Sequence, residues 1–146
     1  MLSPPPRDAH GDVMPHDHEG ISDGEGVIRR ISPYLIVDDP KTGRRLSSLA
    51  MTPSTGENGG MSVNLQNEIE LADIDARAYV SSPPWIGAVR FEAGQLRAIE
   101  LIVGYDPLPS DPHHGEVWGN FNKGKKRQLL NIANWFVAID GVSING

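Results

Sequence analysis

The chain has 146 residues, with 19 Asp and Glu against 13 Lys and Arg, a formal net charge of −6 and no cysteine. That length is one ordinary domain's worth. The acidic surplus argues against general binding to nucleic acid or anionic membranes, and the missing thiols exclude disulfides, thiolate nucleophiles and cysteine-ligated zinc.

Residues 1–26 hold Pro4, Pro5, Pro6 and Pro15, several acids and little to bury. Such a segment does not offset the entropy of its own ordering, so a disordered tail is expected there and a single domain over 27–146. The start, MLSPPPRDAHGDVMPHDHEG, lacks the apolar stretch of a secretory signal, and no apolar run approaches the roughly 18 to 20 residues of a membrane span. The cytoplasm is therefore the expected compartment.

Ile28, Tyr34, Leu35, Ile36 and Val37 give strand-like content at the start of the domain. Asp38 to Gly43 is a turn by composition, and Leu46, Leu49 and Met51 continue as a short extended stretch. After the Gly-rich loop PSTGENGG, MSVNL reads as a strand. The spacing of Leu71, Ile74 and Tyr79 predicts a helix over 68–79, broken by Pro83 and Pro84. WIGAVRFE and QLRAIELIV, separated by Ala93-Gly94, predict a β-hairpin between Trp85 and Val103. YDPLPSDP is a proline-rich loop and HGEVWG a short strand. Leu129, Leu130, Ile132, Ala133, Phe136 and Val137 follow a helical period, so the chain is expected to close on a helix that also carries Trp135. The sum is a single α+β domain: an antiparallel-rich sheet with a β-hairpin and about two helices packed on one side.

Chemistry-bearing residues crowd into Asp111–Leu130, DPHHGEVWGNFNKGKKRQLL. Gly119 to Lys126 comes close to a phosphate-binding loop, but Lys126 stands where such a loop needs a Ser or Thr hydroxyl for Mg²⁺. Too little chain follows for the rest of a nucleotide-hydrolysing fold. Lys123, Lys125, Lys126 and Arg127 at a helix start remain a candidate anion site. His113 and His114 are adjacent, so on a strand they face opposite ways and do not chelate one metal together. No HxH, HxxxH or HExxH spacing surrounds them; the tail's His16-Asp17-His18, with His10 and Glu19, is expected to take metal only adventitiously, and neither a functional metal nor a cofactor is expected. One histidine, His114 or His113, is a candidate general acid or base, with Glu116 on the face of His114. Arg45, Ser47 and Ser62 supply a cation and hydroxyls for a phosphate or carboxylate. No serine sits in a G-x-S-x-G elbow. Trp85 is expected in the core; core or hairpin packing is also the leading reading for Trp118, with a stacking platform formed with Phe121 beside the lysines as the lesser one.

RRLSSLAMTPS, then GGMSV, then YDPLPSDPHHGEVWG after LRAIEL resembles a group of small, mostly uncharacterised bacterial proteins. These place an Arg-Ser strand, an S-V strand and a D-P-x-P…P-x-H segment in the same succession. The resemblance covers roughly residues 28 to 137 and implies that these pieces form one cluster. The chain departs from the pattern in carrying His113 as well as His114.

The leading expectation is a small accessory or binding domain whose partner is a protein or a small anionic, phosphate-bearing ligand; RNA is a lesser candidate, and no membrane partner is expected. The alternatives are a metal-independent, RNase-like phosphoester enzyme with Arg45 and the lysines holding phosphate, or a structural subunit of an assembly.

Overall fold

A computed structural model describes residues 2–54 and 58–145 as one α+β domain. Thr55, Gly56 and Glu57 of the expected Gly-rich loop lie outside the described residues. The six-stranded sheet contains β1 (Gly26–Ile31), β4 (Met61–Leu65), β5 (Gly87–Glu92), β6 (Ile102–Tyr105), β7 (His114–Trp118) and β8 (Asn134–Val137). Its order is β6-β7-β4-β1-β5-β8 and every pairing is antiparallel. A separate hairpin joins β2 (Ile36–Asp39) to β3 (Gly43–Leu46) across the turn read from Asp38 to Gly43. No helix among the described residues is long and apolar enough to cross a membrane.

Period-two alternation divides the sheet into two faces. On one, Val27, Ile31, Met61, Val63, Leu65, Val89, Phe91, Val103 and Val117 form the main core. Two helices, α3 (Ala93–Ala98) and α4 (Lys123–Ile132), press Leu96, Leu129 and Leu130 onto it. On the other face, Ile28, Ala88 and Phe136 meet Ile69 of α1 (Gln66–Leu71) and Val80 of α2 (Ala76–Val80). These two short helices cover the β1–β5–β8 end and leave the opposite half to loops.

Four expectations need correction, besides the extended stretch over Leu46, Leu49 and Met51, which ends at Leu46 and turns into a short 3-10 helix over Ser48–Met51, N-capped by the Ser47 side chain. Residues 85–103 are not a hairpin: β5 runs into α3, and β6 lies at the far edge of the sheet. Gln95 Oε1 accepts the Glu92 amide at 2.9 Å, starting a helix where Ala93-Gly94 looked like a two-residue turn. Glu100, at φ 66°, then reverses the chain. The expected helix over 68–79 is two, parted at Asp73 (φ 61°) and restarted by Asp75, whose carboxylate accepts the Arg77 amide at 3.0 Å. The last helix ends at Ile132, and Trp135, Phe136 and Val137, stiff or bulky residues that suit a pleated surface, form β8 against β5.

The fourth concerns the N-terminus. Residues 2–25 are laid on the domain, with Val13, His18, Ile21 and Glu25 buried. An edge strand leaves backbone groups without partners, and here His16, Asp17 and His18 supply them. Asp17 Oδ1 accepts the Val103 amide at 3.0 Å, His16 Nε2 accepts that of Tyr105 at 3.1 Å, and the His18 amide donates to the Val103 carbonyl at 2.9 Å. Polar groups tie this segment down, which a count of apolar residues does not register.

Candidate functional site

Strands β1 and β4 pair at Val27–Leu65 and Ile28–Asn64 and then part. Arg29 spans the gap, its Nε donating to the Ala50 carbonyl at 2.9 Å and its Nη1 to that of Ser62 at 2.8 Å. Burial holds the pKa of this guanidinium below its ordinary value, against the pull of Glu116. A cleft of about 360 Å³ opens where the strands separate, bordered by Arg29, Arg30, Ser62, Asn64, Trp85 and His114. The Arg30 guanidinium lies 4.7 Å from the centre of the Trp85 ring, a favourable cation–π arrangement. Trp85 is half-buried at the cleft mouth instead of being a core residue.

One wall is organised by Asp111, buried at the end of the proline-rich loop. Its carboxylate accepts Asn64 Nδ2 at 2.9 Å from each oxygen and the Tyr79 hydroxyl at 2.6 Å. Burial, then the hydrogen bond and charge of Asp111, push the Tyr79 phenol up to about 12. Arg30 stands 3.6 Å from the same carboxylate, beyond hydrogen-bond length. A buried carboxylate is tolerated because its oxygens are satisfied in this way.

At the other wall, the extended course of β7 puts His114 and Glu116 on one face, beside Asn64 and Ser62 of β4. The loop before β7 returns Asp106 to the imidazole: His114 Nδ1 is 2.9 Å from the Asp106 carbonyl and 3.1 Å from its Oδ2. The Nδ1–H proton is therefore assigned to Asp106, and Nε2 faces Glu116 Oε1 at 3.8 Å. The Ser62 hydroxyl reaches Glu116 Oε1 at 3.5 Å, and the Gly60 backbone beside the buried Oε2 also favours the charged carboxylate. A Cβ at Gly60 would fall 2.8 Å from Oε2, and Gly104 lies across from Glu116 on β6; small residues thus leave this carboxylate its room.

The electrostatics follow from burial and crowding. Burial raises the Glu116 pKa to about 7, with Asp106 adding to the rise and His114 opposing it. For His114, burial disfavours the charged ring, but the Asp106 hydrogen bond and the Glu116 charge outweigh it and raise the pKa. Both shifts retain protons, so the pair holds acid that an ordinary Glu and His would have released by neutral pH.

Of the residues singled out from the sequence, Ser62 and His114 meet in the cleft. Arg45 lies on the β2–β3 hairpin, bonded to Asp39 Oδ2 at 3.1 Å, and Ser47 is buried, accepting the Leu49 amide at 3.1 Å. Lys123, Lys125 and Lys126 sit in the first turn of α4, and the Lys125 ammonium is engaged by the Ile99 carbonyl. His113 packs edge-on to the Tyr79 ring at 5.3 Å and borders a different hollow from the cleft that His114 lines. Trp118 is buried, as its leading reading had it, with Nε1 donating to the Asn58 carbonyl at 2.7 Å, and so offers no stacking platform. Sequence reasoning passed over Arg30 and Asp106, while Asn64 stood out only as the partner of Ser62 two residues on. The sole hint for Asp106 was its place in the D-P-x-P segment.

The chain matches no protein-family model, no curated protein and no solved structure. What the site does is therefore argued from its own chemistry.

Proposed function

We propose that the protein is a ligand-binding domain that takes a small anionic, phosphate- or carboxylate-bearing molecule in the cleft between β1 and β4. The observation that carries this is the position of Arg30. Its guanidinium is braced on Trp85 at the cleft mouth and pairs with Asp111 at 3.6 Å, without a hydrogen bond among the described residues, so its planar donors suit a bidentate oxyanion. Arg29 adds positive charge behind it, and Ser62 and His114 supply further polar contacts.

Thermal unfolding in inorganic phosphate, pyrophosphate, nucleotides and short RNA tests this. A ligand at about 100 times its dissociation constant stabilises by about 2.7 kcal/mol. The wild type is expected to gain melting temperature with at least one phosphate compound, Arg30→Ala to lose most of the gain, and Lys126→Ala to keep it. No gain with any of them, or the same gain in Arg30→Ala, overturns the reading.

A second, catalytic reading is favoured by the Asp106–His114 contact. A ring held at Nδ1, with Nε2 toward Glu116, is an arrangement for moving a proton to or from a bound phosphoester without a metal. Turnover of a phosphodiester by wild type and its loss in His114→Gln distinguishes an enzyme from a binding domain.

A further inference from the structure

We propose that the outer side of α1 and the two hollows beside it are a docking surface for a basic, amphipathic segment of a partner protein. These hollows share no bordering residue with the anion cleft, and the proposal does not depend on it.

The apolar part comes first. Helix α1 turns Ile69 into the core and leaves Leu71 70% exposed. Glu68 and Leu71 border both hollows. One hollow, of about 270 Å³, is walled by Leu71, Ala72, Tyr105 and Pro112. The Tyr105 hydroxyl reaches the Pro112 carbonyl at 3.5 Å, which joins the edge of β6 to the proline-rich loop there. A lone exposed leucine is ordinary on a protein surface. A leucine at the rim of a hollow walled by an aromatic ring and a proline is a seat for an apolar side chain.

Charge decides what kind of segment brings that side chain. The second hollow, of about 370 Å³, is bordered by Glu19, Glu25 and Glu68, and Glu70 lies on the exposed side of α1. None of these four carboxylates pairs with a Lys or Arg among the described residues, whereas Asp17 and Asp23 of the same N-terminal segment are both taken by Arg97. Glu25 is the telling member, being only 3% exposed. Its carboxylate accepts the Asn67 amide at 3.0 Å, and Arg90, the one cation that favours its charge, is itself bonded to Gln66 Oε1 at 2.7 Å. Burial, aided by Glu68, raises the Glu25 pKa against the pull of the Asn67 and Gly26 amides. A Lys or Arg side chain entering from outside supplies the missing counter-charge, while an acidic segment, a nucleic acid or an anionic membrane is repelled. The occupant therefore carries an apolar anchor for the Tyr105–Pro112 hollow and cations beside it for Glu19, Glu25 and Glu68.

The test titrates the full chain into a fluorescently labelled short peptide of lysine and leucine, and into a lysine–serine peptide of equal charge, with anisotropy as the readout. Saturable one-to-one binding of the lysine–leucine peptide, at least about tenfold tighter than its counterpart, is the expected result. Glu68→Lys and Leu71→Ser, both checked for a native circular dichroism spectrum, should each weaken it about tenfold or more. Asp38→Lys makes the same charge change at an exposed position of the β2–β3 hairpin and should leave it unaltered. No saturable binding, equal binding of the two peptides, binding that either α1 variant leaves unchanged, or equal weakening by Asp38→Lys overturns the proposal. So does a wild-type dimer in sedimentation that Leu71→Ser dissociates, which would give the surface to a second copy of the chain. Stabilisation by phosphate compounds reads the cleft separately, so the two proposals fail independently.

Discussion

Glu116 carries a pH dependence with a definite sign. Its carboxyl titrates near 4.5 when unfolded and near 7 when folded. Between those values the folded state holds more protons, so its contribution to stability is complete below 4.5 and is lost as pH rises toward and through 7. His114, raised above 6.5, acts in the same sense, its share lost as pH rises through its folded pKa. Glu116→Gln should be more stable than wild type at pH 8, on the order of 2 kcal/mol, with little difference at pH 4. Urea denaturation at the two pH values measures this; a variant less stable than wild type at pH 8 would contradict it. His114 and Ser62 were legible beforehand because their chemistry is unusual for a short strand. Arg30 was hidden in an apolar strand, and Asp106 reaches His114 only through the fold of a proline-rich loop. Arg45 looked as good a candidate as either, and pairing with Asp39 on the β2–β3 hairpin occupies it instead.

Elements were legible where local pattern and tertiary context agree. MSVNL and HGEVWG are strands, and the Asp38–Gly43 turn closes a hairpin. Residues 93–103 misled because Ile99, Leu101 and Val103 alternate as a strand does, while the Gln95 side chain starts a helix that alternation does not reveal. The final run misled in the opposite direction: a helical period continued into Phe136 and Val137, but the edge of β5 captured them as a strand. At the other edge of the sheet, the N-terminal segment makes a prediction of its own. Asp17 holds the Val103 amide and also pairs with Arg97 at 3.0 Å. In Asp17→Ala, hydrogen exchange at Val103 and Tyr105 should accelerate relative to the amides shared by β1 and β5, as local opening of this edge becomes easier. Unchanged protection at both amides would show that the segment does not cap β6.

For the whole molecule, the fold class was legible because strand-like runs, Gly and Pro punctuation and one strong helix leave few alternatives to an antiparallel α+β domain. Strand order was not legible, and it is the order that creates the site. With β4 set between β1 and β7, Ser62 and Asn64 face His114 and Glu116 on one side and the gap filled by Arg29 on the other. The proposed anion site is accordingly the cleft and not the lysine-rich start of α4. An NMR titration of the uniformly ¹⁵N-labelled full chain with pyrophosphate compares the two sites in one measurement. Saturable shifts centred on Arg30, Ser62, Asn64 and His114, with Lys123–Arg127 unmoved, are the predicted result. Shifts confined to Lys123–Arg127 would contradict the account.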